Sequence, residues 1–373
     1  MKRRQILLTI SLLLLASLSF AQEKWAGVGV DVNLSAGKIF RHSKKFPTQL
    51  PSVVTGLDIN IIQQTDGRKD WQIRRRYPQV GMGLMYTNYG IDSIYGKCFG
   101  LYPNIQIPLV RYKNFEWAIR AGFGLGYVTK RYTRYPNFDT INTAIGSRMN
   151  NFSIFATDAR YRINQHWDIQ VGAYFTHISN AALRTPNLGI NSYGARVGIR
   201  YFPVSSEPKK ITKEVTPLKN RWLAQVRLSY ASREEYGADG PTYPVYLVSA
   251  FASKRYWSKN KLILGLDYSY HGNMYAFLRN NEIEVGRERA NSWKSAVIVG
   301  NEYLIGRVGV LLQLGFYIKQ YYLPEDFFYQ KLGGNVYILQ KETGILKELS
   351  LSILLKTHKF SAELTEVGLG FSF

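Results

Sequence analysis

The sequence is poor in cysteine, in acidic residues and in long apolar runs, and each shortage excludes a class of protein. One cysteine, Cys98, stands among 373 residues, so the fold cannot depend on an internal disulfide framework. Only 26 Asp and Glu oppose 48 Lys and Arg, and the net charge of +22 favours anionic partners. After residue 20 no run of about 18 apolar residues occurs, which excludes a helical membrane protein.

Motifs for metals, nucleotides and nucleic acids are missing as well. There is no His-Glu-x-x-His spacing, no P-loop and no dinucleotide-binding strand–turn–helix, so we expect no metal and no cofactor. Helix-turn-helix patterns, zinc-finger spacings and aromatic ribonucleoprotein motifs are also absent. We therefore expect no nucleic-acid partner, and phosphorylated lipid headgroups become the favoured anion.

The amino terminus has the pattern of an export signal. Three cations at positions 2–4 precede an apolar run from Ile6 to Phe20, and small residues near Ala21 offer a cleavage site. The run is too short for a membrane span of about 20 residues. We predict a secretory signal peptide at residues 1–21 and a mature chain that starts near Gln22, outside the cytoplasm.

Beyond this segment, apolar residues alternate with small or polar ones in segments of about ten residues. In 115–127 every odd position is apolar, while the even positions are Ala, Gly, Glu116 or Arg120. A soluble β-sandwich can show the same alternation. The export signal, the many strands and the abundance of Tyr and Trp near strand ends favour an outer-membrane β-barrel.

Eight candidate strands precede residue 204 and eight follow residue 219. The first set lies near 25–35, 53–63, 77–87, 99–110, 115–129, 150–163, 166–178 and 190–202; the second lies near 220–231, 244–257, 260–271, 292–303, 305–319, 327–339, 347–358 and 361–373. A polar stretch separates them, and both sets end in an aromatic segment similar to the terminal signal of outer-membrane barrels. The sequence predicts an all-β fold of antiparallel transmembrane strands: an eight-stranded barrel at 22–204, a linker at 205–219 and a second β-barrel-like half at 220–373. One barrel of about sixteen strands is the alternative.

The stretch THISNAALRTPNLGIN, residues 176–191, places polar side chains where apolar ones are expected. His177 and Ser179 continue the lipid-facing row of strand 166–178, and Asn191 shares the lipid-facing row of the next strand. Polar groups facing lipid are costly and need partners or a reason. A His that takes a Ser proton, itself oriented by a third group, is the minimal apparatus for attacking an ester carbonyl. A His–Ser pair alone is more often structural, but its strand position and extended motif favour a catalytic site.

At this point the sequence resembles the outer-membrane lipid A 3-O-deacylases of the PagL type. His177-Ile178-Ser179-Asn180-Ala181 and the following segment 186–189, PNLG, carry the resemblance, which covers about residues 25–203. It implies an eight-stranded barrel that removes the ester-linked 3-hydroxyacyl chain from position 3 of lipid A, with a Ser-His-acid triad on its outer face. It also implies that Ser179 is the nucleophile, that His177 is the general base and that Asn180 contributes to an oxyanion hole.

The departure from the family pattern is Asn191, where the resemblance leads us to expect a glutamate. An asparagine can orient the histidine through its amide oxygen but cannot offset imidazolium charge. Lower activity, or recruitment of Glu116 or Asp168, would follow. Both of these acids lie on the lumen face, which argues against recruitment.

The remaining histidines give weaker signals. His271 and His358 share inward rows with other polar residues and indicate a polar lumen network. His166 follows a tight turn, and His42 lies in the first outer connection; neither has an evident partner in the sequence.

The expected function is an outer-membrane esterase that deacylates lipid A, with outer-membrane lipids around it. Cations of the outer rim would hold the lipid A phosphates, namely Arg41, Lys44, Lys45, Lys130 and Arg131. A non-enzymatic barrel, acting as a pore or a surface-binding protein, and a phospholipase are the alternatives. No pattern assigns a chemical role to the C-terminal half or an oligomeric state to the chain.

Overall fold

The structure is a computed structural model that describes residues 25–47, 49–134, 138–215, 221–235, 237–257, 259–321, 326–359 and 361–373. Over these residues the chain forms two closed antiparallel barrels of eight strands each, with the strands in sequence order around each barrel. The predicted fold is thereby confirmed, and the single sixteen-stranded barrel is wrong. The predicted signal peptide and residues 216–219 of the predicted linker lie outside the described residues.

The strands of the first barrel belong to one compact unit and those of the second barrel to another. The first barrel consists of β1 (Val28–Ile39), β2 (Val54–Gln64), β3 (Gln79–Asn88), β4 (Lys97–Tyr112), β5 (Phe115–Val128), β6 (Met149–Arg162), β7 (Trp167–Ser179) and β8 (Ile190–Tyr201), with the short helix α1 (Asp70–Arg74) between β2 and β3. The second consists of β9 (Trp222–Glu234), β10 (Thr242–Tyr256), β11 (Asn260–His271), β12 (Trp293–Ile305), β13 (Val308–Gln320), β14 (Phe328–Gln340), β15 (Glu348–His358) and β16 (Ser361–Ser372), with α2 (Gly272–Asn280) and α3 (Glu288–Asn291) between β11 and β12. None of the described helices is long and apolar enough to cross a membrane.

The two faces of the first barrel differ as the alternation predicts. Outward positions carry large apolar side chains that are exposed on the isolated chain, which suits a surface surrounded by lipid; Leu34, Ile61, Leu84, Leu101, Leu125, Val171 and Val197 are examples. Inward positions are buried, and many of them are polar. An eight-stranded barrel has an interior just wide enough for side chains to fill it.

Buried ion pairs fill this interior. Arg120 contacts both Asp31 and Asp58, the latter at 2.8 Å, and the guanidinium of Arg196 pairs with Asp158. A buried charge is tolerated when an opposite charge and hydrogen bonds compensate it. The network therefore explains why the inward rows hold so many charged residues.

The inward glycines of β5 make room for this packing. A Cβ atom at Gly122 would lie 2.5 Å from Cδ2 of Tyr102, closer than any real contact. The glycines of β5 are therefore packing positions in the lumen, as the sequence indicates, and not part of a ligand-binding loop.

The connections at the two ends of the first barrel differ in length. The end of the barrel that carries its first and last residues has two short turns, residues 113–114 and 163–166. The one long connection at this end is residues 65–78, which include α1. The opposite end carries the longer connections 40–53, 129–148 and 180–189. β7 ends at Ser179 on this rim, which places the THISNA segment there.

Candidate active site

Strand pairing brings the predicted site residues together on the outward face. In the antiparallel register of β7 with β8, His177 lies directly opposite Asn191. In the register of β6 with β7, Asn151 lies opposite Ser179. Side chains of directly opposite residues share one face of the sheet, about 5 Å apart. Ser179, His177 and Asn191 therefore form a row that crosses the last strands of the barrel.

Hydrogen bonds connect these three side chains in the order of a catalytic triad. Nδ1 of His177 lies 2.6 Å from Oδ1 of Asn191, and Nε2 of His177 lies 2.9 Å from Oγ of Ser179. An amide oxygen can only accept a hydrogen bond, so the proton of the neutral ring sits on Nδ1 and the lone pair of Nε2 faces the serine hydroxyl. His177 is thus arranged as a base for Ser179.

The site is largely shielded although it faces outward. Ser179 is only 6% exposed, whereas Phe175, on the same row four residues earlier, is 36% exposed. The segment that leads into β8 covers the end of β7. Low exposure strengthens hydrogen bonds and charge interactions among these groups.

Gly189 provides part of this cover. Its φ of 76° lies in the left-handed region that favours glycine. A Cβ atom there would lie 2.8 Å from Cε1 of His177 and 3.3 Å from Cβ of Ser179. The chain can return over the His–Ser pair only because this position lacks a side chain.

Asn180 follows Ser179 in the connection between β7 and β8. Its backbone N–H donates to Oδ1 of Asn187 at 2.9 Å, and its side-chain Nδ2 donates to the carbonyl oxygen of Arg184 at 2.9 Å. An oxyanion role for this side chain would have to use its second N–H. That role stays a prediction.

The two alternative acids are engaged elsewhere. Glu116 pairs with Arg111 at 2.7 Å and with Arg160 at 2.8 Å. Asp168 is buried in the lumen and pairs with Arg200 at 3.0 Å. Among the described residues, the side chain that contacts Nδ1 of His177 is therefore that of Asn191 and not that of either acid.

Sequence reasoning missed three polar residues around this row. His42, which has no partner that the sequence reveals, lies with its Nδ1 3.1 Å from Nδ2 of Asn191. Ser153 and Asn151 lie on the outward row of β6, where the Ser153 hydroxyl donates to Oδ1 of Asn151 at 2.8 Å. Strand parity, applied to β6 as it was to β7, would have found the second pair.

The other histidines are engaged in local contacts. In the lumen of the second barrel, Nε2 of His271 lies 3.0 Å from Oγ of Ser269, and Nε2 of His358 lies 3.0 Å from the hydroxyl of Tyr317. His166 contacts the carbonyl oxygen of Phe202 through Nδ1 at 2.8 Å, a partner that the sequence does not reveal. The expected inward orientation of His271 and His358 is confirmed.

Comparison with known proteins gives two family matches. The family model of the lipid A 3-O-deacylases (PagL) matches residues 56–200, and that of the acyloxyacyl hydrolase C-terminal domain matches residues 222–373. No curated protein matches the chain.

Solved outer-membrane barrels are also similar to the chain. The crystal structure of Neisserial surface protein A (NspA) matches 48% of this chain and 97% of its own, with 10% identity and a TM-score of 0.34. The crystal structure of the outer membrane enzyme PagL matches 45% of this chain and 97% of its own, with 19% identity and a TM-score of 0.30.

Each of the two family matches falls within one of the two barrels. The first spans most of β2 to β8 and contains Ser179, His177 and Asn191, and the second spans β9 to β16. The barrel fold agrees with the matched families. The first barrel belongs to the PagL family of lipid A 3-O-deacylases, and the protein has the fold of an outer-membrane β-barrel.

Proposed function

We propose that this protein is a serine esterase that removes the ester-linked 3-hydroxyacyl chain from position 3 of lipid A. The observation that carries the proposal is the hydrogen-bonded row Ser179–His177–Asn191 on the outward face of the barrel. A hydrolytic site that faces lipid suits a substrate whose ester lies within the membrane. The family match supports the same chemistry.

In the first half of the reaction, Oγ of Ser179 attacks the ester carbonyl carbon while its proton passes to Nε2 of His177. The resulting imidazolium keeps its Nδ1–H on Oδ1 of Asn191. When the tetrahedral intermediate collapses, the bond to the sugar oxygen at position 3 breaks, and Nε2 returns the proton to that oxygen. The acyl chain remains on Ser179.

In the second half, water replaces the sugar. Its oxygen attacks the acyl carbonyl, one proton passes to Nε2 of His177, and the bond to Oγ of Ser179 breaks. The proton returns to Oγ, and a free 3-hydroxy fatty acid leaves.

The negative charge of the two tetrahedral intermediates needs donors close to Ser179. Asn180, adjacent in the chain, is the residue that the family resemblance assigns to this role. Each oxyanion donor contributes about two to three orders of magnitude to the turnover of comparable enzymes.

Cations on the same rim suit the phosphates of lipid A. Arg41, Lys44 and Lys45 lie in the connection between β1 and β2, and Lys130 and Arg131 follow β5. Guanidinium and ammonium groups hold phosphates through charge-assisted hydrogen bonds. The lipid A headgroup would then lie above the rim while its ester reaches Ser179.

The decisive test is mass spectrometry of lipid A after incubation with refolded protein. Loss of one 3-hydroxyacyl chain is expected with the wild type and with Ser269→Ala, which removes a serine–histidine hydrogen bond of the same spacing from the second lumen. No loss is expected with Ser179→Ala or His177→Ala. Cleavage of glycerophospholipids instead would identify a phospholipase, and an inert wild type would identify a non-enzymatic barrel.

A further inference from the structure

The connection between β1 and β2 reaches the active-site row through His42. Nδ1 of His42 lies 3.1 Å from Nδ2 of Asn191, and its Nε2 lies 2.8 Å from the carbonyl oxygen of Leu188. Leu188 precedes Gly189, the residue that covers His177. One imidazole ring therefore contacts both the third member of the triad and the segment that returns over it.

The segment that carries His42 is fixed by packing. Phe46 is buried, and its ring lies 5.8 Å from that of His42 and 5.9 Å from that of Tyr95. The Tyr95 hydroxyl donates to the carbonyl oxygen of Gln49 at 2.9 Å, and burial raises the pKa of Tyr95 to about 12, so this donor stays protonated. His42 thus stands on an anchored segment although its own ring is exposed.

The carbonyl of Leu188 sets the direction of every hydrogen bond in the row. A carbonyl oxygen only accepts, so the proton of the neutral His42 ring is on Nε2 and its Nδ1 is an acceptor. The group of Asn191 that faces Nδ1 must then be the NH₂ group. The Asn191 oxygen is left to face His177, whose Nδ1 must carry a proton.

The carbonyl oxygen of Phe40 is a longer contact of the same His42 nitrogen, at 3.4 Å. It could accept a proton from Nδ1 only if the ring were doubly protonated. In that state the Asn191 NH₂ group would lose its acceptor. The neutral ring is the form that satisfies both His42 and Asn191.

We propose that His42 is a positioning residue that holds the Asn191 amide with its oxygen, and not its nitrogen, towards His177. This inference rests on the proposed function. The two ends of an amide are chemically different, so the amide has a wrong orientation. A rotated Asn191 would donate to Nδ1 of His177, move the proton of that ring to Nε2 and leave Ser179 without a base.

A glutamate at the same position would not need a neighbour to orient it, because both carboxylate oxygens accept hydrogen bonds. The reaction rate should therefore depend on His42 only when position 191 is asparagine. This difference separates an orienting role from a general contribution of His42 to the fold, which would be the same in either background.

The test is a double-mutant cycle with His42→Ala and Asn191→Glu, refolded in detergent and checked for the heat-dependent gel shift of folded barrels. Two rates are measured: lipid A deacylation, and covalent labelling of Ser179 by a small fluorophosphonate, which needs an activated serine but no lipid A. His166→Ala is the matched control, since it removes another ring that contacts a backbone carbonyl, at the opposite end of the same barrel.

With Asn191 present, His42→Ala should lower kcat and the labelling rate about tenfold, equivalent to about 1.4 kcal/mol and near the worth of one hydrogen bond. KM should change less than about twofold, because His42 would act on the base and not on the bound lipid. In the Asn191→Glu background, His42→Ala should change both rates less than about twofold. His166→Ala should change neither rate.

Equal losses in both backgrounds, or no loss with Asn191 present, would overturn the proposal. Labelling that depends on His42 without any lipid A cleavage would support the role of His42 and refute the proposed substrate. A wild-type protein whose Ser179 is not labelled at all would refute both.

Discussion

Replacement of Gly189 by alanine tests how closely the site is packed. The added Cβ atom would lie 2.8 Å from Cε1 of His177 and 3.0 Å from the carbonyl oxygen of Ile178. Carbon atoms in contact are normally about 3.5–4.0 Å apart, so the ring or the covering segment must move by about 0.7 Å or more. The carbonyl belongs to the β7 backbone and cannot yield easily, which directs the displacement to the His177 ring or to the return segment.

This displacement should be visible in catalysis. Because a misplacement of about 1 Å can cost about 100-fold in rate, we expect kcat to fall about 10- to 100-fold. A left-handed backbone conformation also costs alanine about 1 kcal/mol, and that part should appear as lower stability and not as lower kcat.

Gly286→Ala separates the two effects. Gly286 has a φ of 82°, close to that of Gly189, but a Cβ atom there would have no neighbour within 4 Å. Gly286→Ala should lower the stability by the same backbone cost and leave the rate of deacylation unchanged. Turnover and fluorophosphonate labelling are the assays, with thermal unfolding of both variants as the stability measurement. If Gly189→Ala keeps the kcat of the wild type, the inference that Gly189 positions His177 is refuted.

Four further substitutions have expected outcomes. Asn191→Glu should raise kcat at least about tenfold, because a carboxylate also stabilises the imidazolium; an unchanged or lower kcat in a folded variant would contradict this reasoning. Asn151→Leu should lower kcat about tenfold with little change of KM if the Asn151 side chain, which lies opposite Ser179, contacts the oxyanion. Ser153→Ala removes the hydroxyl that donates to Oδ1 of Asn151 and should lower kcat by less. Arg120→Ala should lower the unfolding free energy by about 3–5 kcal/mol, since it removes the ion-pair partner of buried Asp31 and leaves buried Asp58 with Arg196 alone; denaturant unfolding measures it, and a loss below about 1 kcal/mol would show that water replaces the guanidinium.

The strands and the face of each site residue could be predicted from the sequence, because period-two alternation determines both. Parity alone predicts the outward row for His177 and Ser179, and the register of β7 with β8 places His177 opposite Asn191. Strand ends were less exact. β1 runs to Ile39, beyond the expected end near residue 35, because the apolar alternation fades before the backbone pairing does.

The contribution of the connections could not be predicted in the same way. Residues 40–53 have no period that would indicate which side chain turns back to the barrel, so His42 had no visible partner. Its position depends on the packing of Phe46 against Tyr95, two residues far apart in sequence. The cover that Gly189 forms over His177 likewise depends on a single left-handed residue in a connection.

Asparagine in place of the expected glutamate changes what the third residue of the proposed triad must achieve. On a lipid-facing row, a neutral amide is cheaper to desolvate than a carboxylate, which would have to remain charged beside a neutral histidine in the resting enzyme. The amide gives up the attraction that a carboxylate exerts on the imidazolium, and it introduces a requirement for orientation that a carboxylate does not have. His42 meets that requirement through the carbonyl of Leu188. On this reasoning, Asn191→Glu should gain turnover and lose stability together, and a glutamate variant as stable as the wild type would show that desolvation has little part in the choice of asparagine.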